Sequence, residues 1–233
     1  MEHLLAVLRG LDYSPLLISL KTGVAAALLA FVASVLLANA LMRTSSRLAG
    51  VIDSLLTLPM VLPPTVSGFL LLMIFSRRRP VGMLLYEQFG IQVVQSWLGC
   101  VVAAFVISFP LMYHNTRAAF EQIDIDLIHA GRTIGMSELR IFWQVILPNA
   151  RHTLAAGAIL AFTRAMGEYG ATSMLAGNIP HKTSTVAQKT ALVLQDGDYE
   201  TVGVWVVIML VISFVAVIVM HYLMKGKQHI PKW

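Results

Sequence analysis

Long apolar stretches alternate with short polar ones along the chain, and the apolar stretches are long enough to be membrane helices. A hydrocarbon core takes about 20 residues of helix to cross. Residues 16–41, 55–75, 97–113, 153–175 and 202–224 are the segments that approach or exceed this length. Most are separated by short polar connections, but the break after the third is long and patterned. The pattern predicts an all-α integral membrane protein, a single transmembrane domain over residues 1–233 with about five spans and one sizeable loop over residues 120–150. Lys21, the apolar run after it and Ala38-Asn39-Ala40 imitate a secretory signal. The run is too long for one and follows a segment containing Glu2 and Asp12, so it is expected to be a retained span.

Within the loop, Asp124 is placed to cap a helix that ends near Ile134, with Asp126 complementing its dipole and Gly135 supplying a left-handed turn. Ser137 can cap a second helix with Glu138 in its first turn, and Pro148 is expected to restart the chain into the membrane. Small Ala130 and Gly131 stand on the first helix; bulky Leu139, Ile141, Phe142 and Trp143 stand on the second. Patterning alone fits either a handle for a partner or an amphipathic pair lying on the bilayer.

Two spans carry unusual chemistry. The second contains Pro59, Pro63, Pro64, Thr65, Ser67 and Gly68. Prolines free backbone carbonyls that are tolerated at membrane depth only against protein or a watery cavity. The segment is thus either part of a substrate path or a kink needed for packing. The fourth span contains Arg164-Ala-Met-Gly-Glu168-Tyr-Gly-Ala-Thr172. Charges at that depth cost several kcal/mol unless paired or hydrated, and the i, i+4 spacing lets Arg164 and Glu168 pair. A structural pair and a place on the translocation path are both open.

Composition strengthens the membrane reading. The chain is 57% hydrophobic and 12% charged, with a mean hydropathy of +0.74, whereas charged residues make up about a quarter of a typical soluble chain. Its net charge of +5 is dispersed between apolar runs and not gathered into a nucleic-acid-binding face. Cys100 is the only cysteine, which excludes an internal disulfide or CxxC pair, and the seven histidines show no metal-site spacing. No nucleotide-binding loop or nucleophile elbow is present, so neither catalytic nor metal residues are expected.

The loop resembles the cytoplasmic signature of ATP-binding cassette (ABC) importer permeases, a Glu-Ala-Ala triplet, a glycine four residues later and a terminal Ile-x-Leu-Pro. His129-Ala130-Gly131, Gly135 and Val145-Ile146-Leu147-Pro148 stand at that spacing, with His129, Gly131 and Val145 departing from it. The Leu-Pro-Pro segment, the Arg-Ala-x-Gly-Glu-Tyr-Gly-Ala-Thr segment and Ala176-Gly-Asn-Ile-Pro180 are similar to molybdate and tungstate importer permeases over residues 16–224. Sulfate permeases are similar around Gly-Glu-Tyr-Gly but usually carry more N-terminal sequence and work as unlike pairs, so the shorter chain favours molybdate.

The resemblance implies the type I importer permease fold in the bacterial cytoplasmic membrane. It implies a permease homodimer, two ATP-binding subunits that use ATP and Mg, and an external or periplasmic molybdate-binding protein. No cofactor is expected on this chain itself. Ala130, Gly131, Gly135, Leu139, Phe142, Leu147 and Pro148 are the expected coupling residues. Pro63, Pro64, Thr65, Ser67, Arg164, Glu168 and Thr172 are candidates for the path. With the loop cytoplasmic and five spans, the N-terminus lies outside and the C-terminus inside. Arg43, Arg47, Arg117, Arg132, Arg140, Arg151, Lys225, Lys227 and Lys232 then face in, against Arg9, Arg77, Arg78, Arg79, Lys182 and Lys189 outside, a weak positive-inside bias. Two rival classes are an intramembrane enzyme, which lacks a Ser/Lys, HExxH or twin-Asp arrangement, and an ion-coupled carrier, for which no inverted repeat is evident.

Overall fold

The computed structural model describes residues 10–42, 44 and 46–224. Arg9, Arg43 and the three C-terminal lysines of the orientation argument lie outside the described residues. The helices are α1 (Ser14–Leu41), α2 (Ser46–Val61), α3 (Pro64–Phe75), α4 (Pro80–Phe89), α5 (Trp97–Glu121), α6 (Ile125–Thr133), α7 (Glu138–Ile141), α8 (Leu147–Met166), α9 (Gly170–Ala176), α10 (Val186–Gln195) and α11 (Tyr199–Met224). A π-helical turn, Phe142–Ile146, joins α7 to α8. Among the described residues four continuous helices are long and apolar enough to span: α1, α5, Glu138–Met166 and α11; α2 and α3 pass the same test only when taken together, as a pair bent by 111°.

The core is the three-way contact of α1, α5 and α8. It forms because each presents a stripe of small residues, such as Ala26, Ala30, Ser34 and Ala38 on α1, Ala103 and Ala104 on α5, and Ala161 and Ala165 on α8. Small side chains let helix backbones approach closely where no water is present to drive association. By contrast α11 is apolar all round and exposes Val207, Leu210, Val211 and Phe214, as suits a helix facing lipid. It is anchored by fully buried Trp205 and, at the loop end of the bundle, by His152 Nδ1 against the Leu223 carbonyl at 2.9 Å.

Two spans differ in outline from the apolar pattern. The stretch 55–75 is two helices, because Pro63 precedes a proline and takes an extended ψ of 133°, leaving Pro64 to begin a new helix. The stretch 153–175 is also broken: α8 stops at Gly167 and α9 starts three residues later. Pro148 does not restart the chain. Instead the helix runs through it from Glu138 to Met166, since the π turn pairs Leu147 N–H with the Phe142 carbonyl and absorbs the hydrogen bond that a proline cannot make.

Candidate functional site

The two broken spans meet. α3 and α9 pack side by side, so closely that Gly68 leaves no room for a Cβ and Gly170 leaves little. A Cβ on Gly68 would lie 2.6 Å from Ala171 Cα, and one on Gly170 would lie 3.0 Å from Pro64 Cβ and 3.1 Å from Thr65 N. The starts of the two short helices are therefore pressed together, which brings the Leu-Pro-Pro and Gly-Glu-Tyr-Gly motifs into one place. Pro63, Pro64 and Thr65 are exposed at this junction, whereas Ser67 and Thr172 are buried in it. Among the described residues the Ser67 hydroxyl has no hydrogen-bond partner.

Arg164 and Glu168 form the ion pair that their spacing predicts, Nη1 to Oε2 at 2.8 Å. Their positions differ from a simple helical pair. Arg164 is in the last turn of α8, while Glu168 stands beyond its end and accepts the Ala171 amide on Oε1 at 2.8 Å. Glu168 is 2% exposed and Arg164 38%. One carboxylate thus caps α9 and neutralises a cation, so both oxygens of a costly buried charge are satisfied. The guanidinium keeps the open side.

The loop is built as its caps predict. Asp124 Oδ1 accepts the Asp126 amide at 2.9 Å, Ser137 Oγ accepts the Arg140 amide at 3.3 Å, and Gly135 takes φ +80° between the two helices. Across that turn Arg132 donates to both oxygens of Glu138, at 2.7 and 3.2 Å, and the carboxylate raises the guanidinium above its ordinary pKa. Gly131 is buried under Ile141, and Phe142 packs edge-on to Phe120 of α5 with centroids 6.2 Å apart. These two coupling candidates are buried: Gly131 packs one loop helix on the other, and Phe142 holds the loop to the bundle. Leu147 is half-buried; Ala130, Gly135, Leu139 and Pro148 are exposed. Ile134, 76% exposed, and Trp143, 59%, join Leu139 in presenting apolar surface. Ile134 was hidden from sequence reasoning because nothing in the pattern distinguishes an outward apolar residue at a helix end from an inward one.

The family of binding-protein-dependent transport system inner membrane components matches residues 16–228. The chain belongs to this family. Members are permease subunits of importers that work with ATPase subunits and a substrate-binding protein. The molybdenum transport system permease protein ModB of Escherichia coli strain K12 is 39% identical over 184 residues, 79% of this chain and 80% of the relative. The putative molybdenum transport system permease protein YvgM of Bacillus subtilis strain 168 is 33% identical, covering 93% of this chain and 94% of the relative. Among solved structures, a chain of a bacterial ABC transporter involved in the import of the acidic polysaccharide alginate superimposes with a TM-score of 0.76 at 13% identity, covering 99% of this chain and 84% of that one. The MetNI methionine ABC transporter in an inward-facing form gives 0.72 at 15% identity, with 91% and 94% covered. The family's membrane fold, a type I importer permease, is thus the fold of this chain.

Proposed function

We propose that this chain is the permease subunit of an ABC importer that carries molybdate, and the similarly shaped dianion tungstate, across a bacterial cytoplasmic membrane. The likeness to molybdenum permeases from end to end, 93% of the chain in the Bacillus subtilis case, carries the reading. A second reading, sulfate, is favoured by the CysT permease of Salmonella typhimurium, 36% identical, but the chain covers only 64% of that relative.

The working unit is a homodimer of this chain with two ATP-binding subunits, which supply the ATP and Mg chemistry that this sequence has no motif for, and an external binding protein that delivers the anion. The N-terminus is outside and the C-terminus cytoplasmic, so the α6–α7 loop faces the ATPase. Leu139, Ala130, Gly135 and Pro148 offer it surface, while Gly131 joins the two loop helices and Phe142 and Leu147 brace them against the bundle. The path passes the α3–α9 junction. Thr65 and Arg164 serve it with a hydroxyl and a positive field for a passing dianion; Pro63 and Pro64 shape the break. Glu168, Ser67 and Thr172 support these groups from within. Uptake of molybdate with the cognate binding protein, competed by tungstate and by sulfate, tests the substrate. Competition by tungstate alone is expected, and equal competition by sulfate would favour the second reading.

A further inference from the structure

A ladder of polar side chains joins α2 to α5, away from every motif that marks the family. Asp53 of α2 receives the Tyr113 hydroxyl on one carboxylate oxygen and the Arg117 guanidinium on the other. Arg117 also donates through Nε to Glu121 at 2.6 Å, so a single cation bridges two carboxylates. One turn further on, Thr57 Oγ1 donates to the Asp53 carbonyl at 2.7 Å. Its lone pair is left to accept from His114 Nε2 at 3.0 Å. Tyr113 is fully buried, while Arg117 and Asp53 keep 35% and 21% exposure.

The position of the ladder gives it meaning. α5 ends at Glu121 and the chain re-enters helix at Ile125 as the first helix of the loop, and neighbouring Phe120 packs on Phe142 of the π turn that follows the second. α2 ends at Val61, just before the Pro63–Pro64 break. The ladder therefore lies between the loop and the break. Among the described residues it makes all the side-chain polar contacts of α2 with other helices. The opposite side of α2 exposes Leu48, Val51, Leu55 and Leu58.

Partly exposed ion pairs add little stability, and apolar packing would hold α2 to α5 as well. What a bidentate, hydrogen-bonded carboxylate adds is register: it fixes which turn of α2 faces which turn of α5. We infer that Asp53, Tyr113 and Arg117 are positioning residues that transmit displacement of the loop along α2 to the proline break. This rests on the loop being the contact for the ATPase subunit.

The test uses the complete transporter, with ATPase subunit and binding protein, in proteoliposomes in which ATP hydrolysis and molybdate uptake are measured together. Asp53→Asn and Arg117→Gln should leave hydrolysis within about twofold of wild type and lower uptake per ATP roughly tenfold, as loss of a charge-assisted hydrogen bond would. Asp53→Glu should recover most of it. Tyr113→Phe, which removes one hydroxyl, should give a smaller loss and carries the test if the charge variants fail to assemble. Unchanged uptake per ATP, or hydrolysis and uptake falling in equal proportion, would overturn the inference. Leu139→Ser on the loop separates the two levels. If it changes neither quantity the loop reading fails; if it lowers both while the ladder variants keep wild-type uptake per ATP, only the ladder is refuted.

Discussion

Glu168 holds the Arg164 guanidinium at 2.8 Å with one carboxylate oxygen and the Ala171 amide at 2.8 Å with the other. The end of α8 and the start of α9 are thereby joined through one side chain. Because α9 is pressed on α3, the same carboxylate indirectly sets the orientation of the proline break. A residue in this position has two roles that substitution can separate.

Arg164→Leu leaves Glu168 without its cation, at a cost of about 1–3 kcal/mol, below the full penalty of a buried pair because Arg164 keeps 38% exposure. Adding Glu168→Gln removes the unpaired charge. The double variant is expected to regain membrane abundance and thermal stability in detergent but not molybdate uptake. Recovery of both would make the pair purely structural.

The α3–α9 contact should tolerate no side chain at Gly68. Gly68→Ala sets a methyl against the Ala171 backbone, and overpacking of this kind costs about 1–3 kcal/mol. Gly50→Ala is the control, since its Cβ would meet nothing within 4 Å. Thermal unfolding in detergent should fall for the first and hold or rise for the second.

Burial divides the loop residues. Phe142→Ala removes a buried ring and is expected to cost about 3–5 kcal/mol, seen as loss of folded protein. Leu139→Ser, at 69% exposure, should change stability by no more than about 0.5 kcal/mol. It should nevertheless reduce stimulation of the ATPase by the assembled complex.

His181 takes φ +59°, a conformation that costs an ordinary side chain about 1 kcal/mol and glycine almost nothing. Its contact with Asp12 is 3.6 Å and exposed, so little is lost with the imidazole. His181→Gly is expected to raise the unfolding temperature by a few degrees and to leave uptake unchanged.

Much of this was legible before any coordinates. Apolar length marked the spans, and local rules placed Asp124, Ser137 and Gly135, because caps and a left-handed turn depend only on near neighbours. The Arg164–Glu168 pair was legible as spacing for the same reason. What stayed hidden was tertiary. Hydropathy averages over a proline break and cannot register a 111° bend, so α2 and α3 read as one span. The π turn that carries the helix through Pro148 leaves no mark in residue type. Whether Phe142 turns inward and Ile134 outward depends on where α5 lies. Asp53 has no partner among its sequence neighbours of the kind spacing rules detect; α5 brings Tyr113 and Arg117 to it from some 60 residues away.

ATP dependence of uptake is the most direct test of the functional reading. Proteoliposomes holding this permease, its ATPase subunit and the molybdate-binding protein should accumulate labelled molybdate only when ATP is supplied to the ATPase side, with accumulation abolished when the ATPase subunit is omitted. Uptake that persists without that subunit, or that follows an imposed ion gradient in the absence of ATP, would contradict it.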